Sequence, residues 1–380
     1  MIKKDNIALI GAADRNVGKT EFACNLISKY SNNHKVIGIK VTTVKEVNGK
    51  CPRGGEGCGV CSSLQGEYSI TEEANFESQK DTSRMLRAGA DRVYWLRVLA
   101  TGLENGFKEV LAKIHKENGD DLCIVCESNS LRKVFKPGIF FVLNRIGNKK
   151  VKQSCQEVKH YADQFINLIS IQEGFDTDIN DFSFADNSWH IKKNAAVIIL
   201  AGGKSSRMER DKSQLVISEK TIIKHIVDQV KPYFKQIIIG ANDVAKFQDL
   251  NCKIVPDKLE GYGPLMGILS CLENSDYDVN FLLACDIPDI DINFVEKMLL
   301  ESSREFDVVV PKSSEGYIEP LFAIYKKNII DAIKDVLFKK NKKRIRLVFD
   351  KVNTKYIDFT DNDWYYNINT KEDYHNFINK

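Results

Sequence analysis

Twice in this chain an uninterrupted apolar run breaks into a glycine-containing loop, and a helical pattern follows. The runs are IALIG at 7–11, ahead of AADRNVGKT, and AAVIIL at 195–200, ahead of AGGKSSR. Such runs suit strands buried on both faces, as in parallel sheets covered by helices on either side. The alternation of short apolar strand, turn and amphipathic helix recurs along the chain. It predicts strands at 7–11, 36–41, 93–96, 122–126, 139–143 and 165–169 in the first half. In the second half it predicts strands at 196–200, 236–240, 252–255, 279–285, 307–310 and 355–359. The expected class is α/β, with two Rossmann-like three-layer α/β/α domains whose sheets are mixed but mostly parallel. Residues 171–194, IQEGFDTDINDFSFADNSWHIKKN, are rich in Asp, Asn and Ser and hold no steady period. They read as a linker between domains at 1–170 and 195–380. In sheets of this kind ligands bind beyond the carboxyl ends of the strands, which is where the two loops lie.

Composition narrows the function classes. Lys and Arg number 55 against 52 Asp and Glu, a formal charge of +3, which argues against a dedicated nucleic-acid binder. No apolar run approaches the ~20 residues of a membrane helix. The apolar stretch Ile7–Ala13 is too short for a signal core and ends at Asp14-Arg15, so the expectation is a cytoplasmic protein with no membrane partner. Of ten cysteines, seven fall in the first 160 residues. In a reducing compartment they are not expected to form a disulfide framework.

The first loop, Gly11-Ala-Ala-Asp-Arg-Asn-Val-Gly18-Lys19-Thr20, is close to the phosphate loop G-x-x-x-x-G-K-[ST], with Ala13 in place of the first Gly. Backbone N–H groups of such a loop and of the following helix surround phosphate oxygens. Gly18 and Lys19 would bind phosphates, Lys19 the β/γ pair, and the Thr20 hydroxyl would ligate Mg²⁺, making this domain P-loop NTPase-like. Glu127, at the end of the apolar run 122–126, would hold metal-bound water. Asp81 reads as a helix N-cap. Cys51, Cys58 and Cys61 lie close together in a glycine-rich loop. They suit a Zn²⁺ ion or an iron–sulfur cluster, but the fourth ligand is missing locally, and unligated surface thiols are the alternative. Cys123 and Cys126, three apart on a strand, point to opposite faces and cannot complete the set.

The second loop carries Gly202 and Gly203, which let backbone pass close to a nucleotide, and Lys204, Arg207 and Lys212, which bring positive charge to its phosphates. Asp286 ends the run FLLAC at the sheet's carboxyl edge. A carboxylate there suits Mg²⁺ bound together with substrate phosphates. Lys212, Arg207 and Asp286 are the candidate catalytic residues, acting by positioning and electrostatics rather than as nucleophiles.

The stretch L-A-G-G-x-S-x-R-M-x-x-D-K at 200–212 resembles the nucleoside-triphosphate transferases and, within them, the molybdenum cofactor guanylyltransferase (MobA) family. Further blocks agree in order: Pro256-Asp257, Gly261-Tyr-Gly-Pro-Leu-Met-Gly267, Cys285-Asp286-Ile287-Pro288, Glu319-Pro-Leu-Phe322 and Asn367-Ile-Asn-Thr370. The resemblance covers about residues 195–380. It implies a nucleotidyltransferase fold and transfer of GMP from GTP to molybdopterin with release of pyrophosphate. It implies backbone contacts to the nucleotide from Leu200, Ala201 and Gly202, phosphate binding by Lys212, and guanosine contacts from Asn242 and Asp257. It further implies Mg²⁺ on Asp286 and the acceptor near Asn369. Glu209 and Lys371 stand where the family has Gly and Pro.

The first half is similar, more loosely, to the MobB accessory GTP-binding proteins, through its phosphate loop, the stretch KDTSRMLRAGA and Glu127. Implied partners of the whole chain are GTP, molybdopterin and molybdoenzymes or their chaperones. A cytidylyltransferase or another NTP transferase of the same fold is the enzymatic alternative. A GTP-regulated metal or cofactor carrier with an inactive transferase domain is the non-enzymatic one. The basic run at 339–346 reads as a solvated face or as an attractor for the acceptor's phosphate.

Overall fold

The computed structural model describes residues 2–14, 16–44, 64, 66–147, 151–170, 172–202, 212–217, 219–303, 305–359 and 366–379. The chain divides into two compact units, Met1–Ile191 and Lys192–Lys380. No helix among the described residues is long and apolar enough to cross a membrane.

The strands of unit 1 are β1 (Ile2–Ala12), β2 (Val36–Val44), β3 (Tyr68–Glu72), β4 (Arg92–Leu99), β5 (Cys123–Glu127), β6 (Phe135–Arg145), β7 (Gln164–Ser170), β8 (Gly174–Phe175), β9 (Phe182–Ala185) and β10 (Ser188–Ile191). Its helices are α1 (Lys19–Tyr30), α2 (Asp81–Arg87), α3 (Leu103–Asn118) and the short α4 (Gln153–Gln156). The main sheet has the order β3-β4-β2-β5-β1-β6-β7-β8. All its pairings are parallel except those of the two edge strands, β3 with β4 and β8 with β7. The parallel interior follows from the continuous apolar runs: Ile7, Leu9, Ile124 and Cys126 pack on one face with α3, while Ala8, Ile10, Cys123 and Val125 pack on the other with α1. Cys123 and Cys126 thus lie on opposite faces, as strand geometry requires.

The segment expected to be a linker is folded over its described residues, 172–194. Residues 182–191 form the antiparallel hairpin β9–β10, and Phe182, Phe184 and Trp189 are buried on the α1 face of unit 1. Phe182 packs edge-on against Phe141 with centroids 4.7 Å apart, and Trp189 against Tyr30 at 5.2 Å. The Trp189 indole donates to the carbonyl of Asn6, and Lys29 Nζ donates to the carbonyls of Ile179 and Phe182. Apolar burial of this size outweighs the turn-forming Asp and Asn residues around it. The boundary therefore falls at Ile191/Lys192 and not across residues 171–194.

Unit 2 contains β11 (Lys193–Leu200), β12 (Val216–Ile217), β13 (Lys220–Thr221), β14 (Phe234–Gly240), β15 (Lys253–Val255), β16 (Val279–Ala284), β17 (Val308–Ser313), β18 (Phe322–Lys326) and β19 (Thr354–Phe359). Its helices are α5 (Ile222–Val230), α6 (Pro264–Asn274), α7 (Ile292–Ser302), α8 (Ile330–Lys334), α9 (Arg346–Phe349) and α10 (Lys371–Ile378). The sheet order is β15-β14-β11-β16-β18-β17-β19, with β18 antiparallel to both neighbours and the other pairings parallel. Helices α5 and α7 cover one face, α6, α8 and α9 the other. Both units are three-layer α/β/α sandwiches with mostly parallel sheets.

Candidate functional site

In unit 1 the loop after β1 leads directly into α1. Gly18 caps that helix with φ +83°, a left-handed conformation natural to glycine. Ala13, standing where the pattern has Gly, is buried, donates its N–H to the Leu143 carbonyl and accepts from the N–H of Lys152. The Asn129 side chain pairs with the backbone of Ala12, accepting from its N–H at 2.6 Å and donating to its carbonyl at 2.9 Å. It continues the sheet where β5 has ended and fixes the start of the loop.

Lys19, Thr20 and Glu127 come together here. The Thr20 hydroxyl donates to Glu127 Oε2 at 3.0 Å, and Lys19 Nζ lies 3.8 Å from Oε1. Two residues join them that the sequence reading did not place at the site. Lys40, from β2, lies 3.4 Å from Glu127 Oε1 and pairs with Asp81. Asp81 is not the N-cap of α2: Lys80 holds that position, and Asp81 occupies the first turn with its carboxylate turned to Lys40. Burial would raise the Asp81 carboxyl, but the Lys40 ammonium first, then the Thr20 hydroxyl and the Arg84 charge, outweigh it and hold the group below its ordinary value. A lysine inside the apolar strand VIGIKVTTV was the available signal for Lys40. Cys51, Cys58 and Cys61 lie outside the described residues.

In unit 2 the site forms where β11, β14 and β16 end side by side. The Cys285 N–H donates to the Leu200 carbonyl and the Ala201 N–H to that of Gly240, fixing both loops at one edge. Gly240 allows the approach: a Cβ there would come within 2.9 Å of Cys271 Sγ and Leu200 Cδ2. Lys212 Nζ lies 3.3 Å from Asp286 Oδ2 and donates to Asn369 Oδ1 at 3.0 Å. Their proximity joins positions 74 and 157 residues apart. The Ile368 N–H donates to the Asp286 carbonyl, so the segment before α10 is docked on the β16 loop. Asp373 anchors that segment through a capping box, accepting from the N–H groups of Asn369 and Thr370. The loop after Asp286 is held from α5: Gln229 donates to the Pro288 carbonyl and accepts from the Ile290 N–H.

Asn242 and Asp257 form a second pair at this edge. The Asp257 N–H donates to Asn242 Oδ1 at 2.8 Å, and Asn242 Nδ2 donates to Asp257 Oδ2 at 3.4 Å. Burial raises the Asp257 carboxyl above its ordinary value; the Asn242 bond works against this and the nearby Glu260 charge with it. Gly267 on α6 packs against it, since a Cβ there would lie 3.2 Å from Asp257 Oδ1. From the basic run, Lys343 Nζ donates to the Gly261 carbonyl at 2.5 Å and sits 5.2 Å from the Tyr262 ring centroid. That contact between the basic run and the loop before α6 was not foreseen. Leu200, Ala201 and Gly202 line the same edge, whereas Gly203, Lys204, Arg207 and Glu209 lie outside the described residues.

Among the described residues no group of three or more His, Cys, Asp or Glu converges. A divalent ion at either loop would therefore be held by one or two carboxylates together with substrate phosphates, which is how Mg²⁺ is bound. The donors fit such an ion. Asp286 and Asn369 present hard oxygens around the Lys212 ammonium, and Thr20, Asp81 and Glu127 present theirs around that of Lys40.

The description "MobA-like NTP transferase domain" matches residues 197–353. The molybdenum cofactor guanylyltransferase of Campylobacter jejuni strain RM1221 is 31% identical over 185 residues, 48% of this chain and 95% of the relative. A protein of Clostridium perfringens strain ATCC 13124, named "Probable molybdenum cofactor guanylyltransferase", is 35% identical over 204 residues, 50% of this chain and 98% of the relative. One of the same name from Carboxydothermus hydrogenoformans is 32% identical over 194 residues, 49% and 96% of the two chains. Through unit 2, the chain belongs to the molybdenum cofactor guanylyltransferase family.

Proposed function

We propose that unit 2 transfers GMP from GTP to molybdopterin and releases pyrophosphate. A phosphate oxygen of the acceptor attacks the α-phosphorus of GTP in line, the bond from that phosphorus to the β-phosphate bridging oxygen breaks, and pyrophosphate departs. The observation that carries the reading is the meeting of Lys212, Asp286 and Asn369 at the carboxyl ends of β11 and β16, the first two within the region shared with the family. Lys212 would offset charge on the phosphates, and the geometry calls for no protein nucleophile. Asp286 would hold Mg²⁺, which when bound supplies further positive charge for the phosphates. Backbone at Leu200, Ala201 and Gly202 would carry the nucleotide, the Asn242–Asp257 pair its guanosine part, and Asn369 the acceptor side. Lys343 and its basic neighbours would draw in the acceptor's phosphate.

Unit 1 would bind GTP as an accessory domain. Gly18, Lys19 and the N–H groups opening α1 would cradle the phosphates, and Thr20 with Glu127 would hold Mg²⁺ and its water.

A panel of nucleoside triphosphates, with molybdopterin as acceptor and pyrophosphate release as readout, tests the reading. Strong preference for GTP, abolished by Asp286→Ala, is the expected result. Preference for CTP, or equal activity of the Asp286→Ala protein, overturns it.

A further inference from the structure

The phosphate loop of unit 1 faces a lysine that its motif does not require. Ile10, Glu127 and Lys40 occupy one row across three adjacent parallel strands: Ile10 pairs with Glu127 between β1 and β5, and Glu127 with Lys40 between β5 and β2. Paired residues of a parallel ladder point to the same side of the sheet. Glu127 and Lys40 therefore share the face of α1, which opens with Lys19 and Thr20. The Lys40 ammonium bridges Asp81 and Glu127, and Glu127 also accepts from the Thr20 hydroxyl. Both lysines of the site thus lean on the carboxylates that face the phosphate loop.

Stability alone does not account for this arrangement. A largely buried ion pair contributes little over an apolar residue of similar volume. β2 is otherwise apolar through Val36–Ile39 and again at Val41, so an apolar side chain would continue its pattern. The placement fits a site that exchanges cations. Without nucleotide the two carboxylates need positive partners; Lys19 lies near Glu127, and Lys40 reaches both Glu127 and Asp81. With a divalent cation held by Thr20 and Glu127 the ammonium would be surplus there, and the terminal phosphate of a nucleotide in the loop would offer it a new negative partner.

We infer that Lys40 is a second phosphate-binding lysine of unit 1, which neutralises Asp81 and Glu127 in the empty site and contacts the terminal phosphate of a bound nucleoside triphosphate. The inference rests on the nucleotide-binding reading of this loop and adds to it a residue that distinguishes triphosphate from diphosphate.

Because unit 2 also binds nucleotide on the reading above, the test must be local to this loop. Hydrogen–deuterium exchange of the peptide covering residues 11–22 is followed in the full-length protein during titration with GTPγS or GDP at saturating Mg²⁺. The unaltered chain is expected to bind GTPγS more tightly than GDP. Lys40→Met is expected to lose roughly 10- to 100-fold of its GTPγS affinity, the value of a hydrogen bond to a charged group, with GDP affinity within about twofold. Lys40→Arg, which keeps the charge, is expected to retain the preference for GTPγS. An unchanged GTPγS:GDP ratio in Lys40→Met, or an equal loss for both nucleotides, overturns the inference while leaving the loop's nucleotide binding intact. Absence of protection by either nucleotide in the unaltered chain overturns the nucleotide-binding reading and the inference with it.

Discussion

The folded state of residues 174–191 makes a quantitative claim at Gly18. Two terms oppose a side chain there. The backbone sits at φ +83°, where an L-residue costs about 1–2 kcal/mol. A Cβ would also lie 3.0 Å from Cε1 and Cζ of Phe175, the β8 residue brought over the loop. That ring packs edge-on against Phe22 with centroids 5.3 Å apart, so its retreat disturbs the core under α1, and overpacking of this kind costs about 1–3 kcal/mol. Gly18→Ala is therefore expected to destabilise unit 1 by about 2–5 kcal/mol. In a Phe175→Ala background only the backbone term remains, about 1–2 kcal/mol. The double-mutant cycle should return a coupling of about 1–3 kcal/mol. Urea unfolding followed by Trp189 fluorescence measures it, in a chain whose other two tryptophans, Trp95 and Trp364, are replaced by Phe. The local reporter matters because a chain of two units need not unfold in one step. If Gly18→Ala costs the same in both backgrounds, Phe175 does not cover the phosphate loop and the reasoning fails.

Other outcomes follow from the same contacts. Lys212→Met should lower the rate constant of GMP transfer by about 10²–10³-fold, the usual cost of losing one preorganised charge-stabilising group, with far-ultraviolet circular dichroism unchanged; steady-state pyrophosphate release checks it. The Asp373 carboxyl would be raised by burial, but the N–H groups of Asn369 and Thr370, the Thr370 hydroxyl and the Lys212 charge outweigh this and hold it below its ordinary value. Its contribution is thus full above the ordinary carboxylate range and is lost as pH falls through the lowered folded value. Asp373→Ala should cost about 0.5–1 kcal/mol at neutral pH, its capping bonds being screened by solvent, and progressively less in acid, so thermal melts of the two proteins should converge near the low-pH end. Trp189→Phe keeps a ring in the hairpin but leaves the Asn6 carbonyl without its indole donor, and should cost unit 1 about 1–3 kcal/mol by chemical denaturation.

The parallel interior strands of both sheets were legible because strands buried on both faces write themselves as unbroken apolar runs. The hairpin at 182–191 was not. Phe182 and Phe184 alternate with smaller residues in strand fashion, yet Asp and Asn at its turn and flanks dilute the pattern over any longer window. Strand β18 escaped for another reason: Phe322–Lys326 follows the Glu319-Pro-Leu turn so closely that the stretch read as motif rather than as strand. At the unit 2 site each motif could be read separately, but the Lys212–Asn369 bond depends on α10 docking beside β16, which no local pattern encodes. Asp81 shows the converse error. Its position near a helix start was correct, and only its partner, a lysine from a distant strand, reveals that its carboxylate serves the loop.

The hairpin has a consequence for the order in which this chain acquires structure. The rings that close over Phe22, Phe141 and Tyr30 belong to residues 182–189, and after Ile191 one residue, Lys192, precedes β11. During synthesis the first sandwich cannot seal until its last ten residues leave the ribosome, by which time the opening strand of the second is next to emerge. Until then a broad aromatic surface stays open to solvent, the kind of surface on which nascent chains aggregate. A shortened chain ending at residue 170 would keep that surface permanently exposed, so a soluble first unit requires the sequence through Ile191.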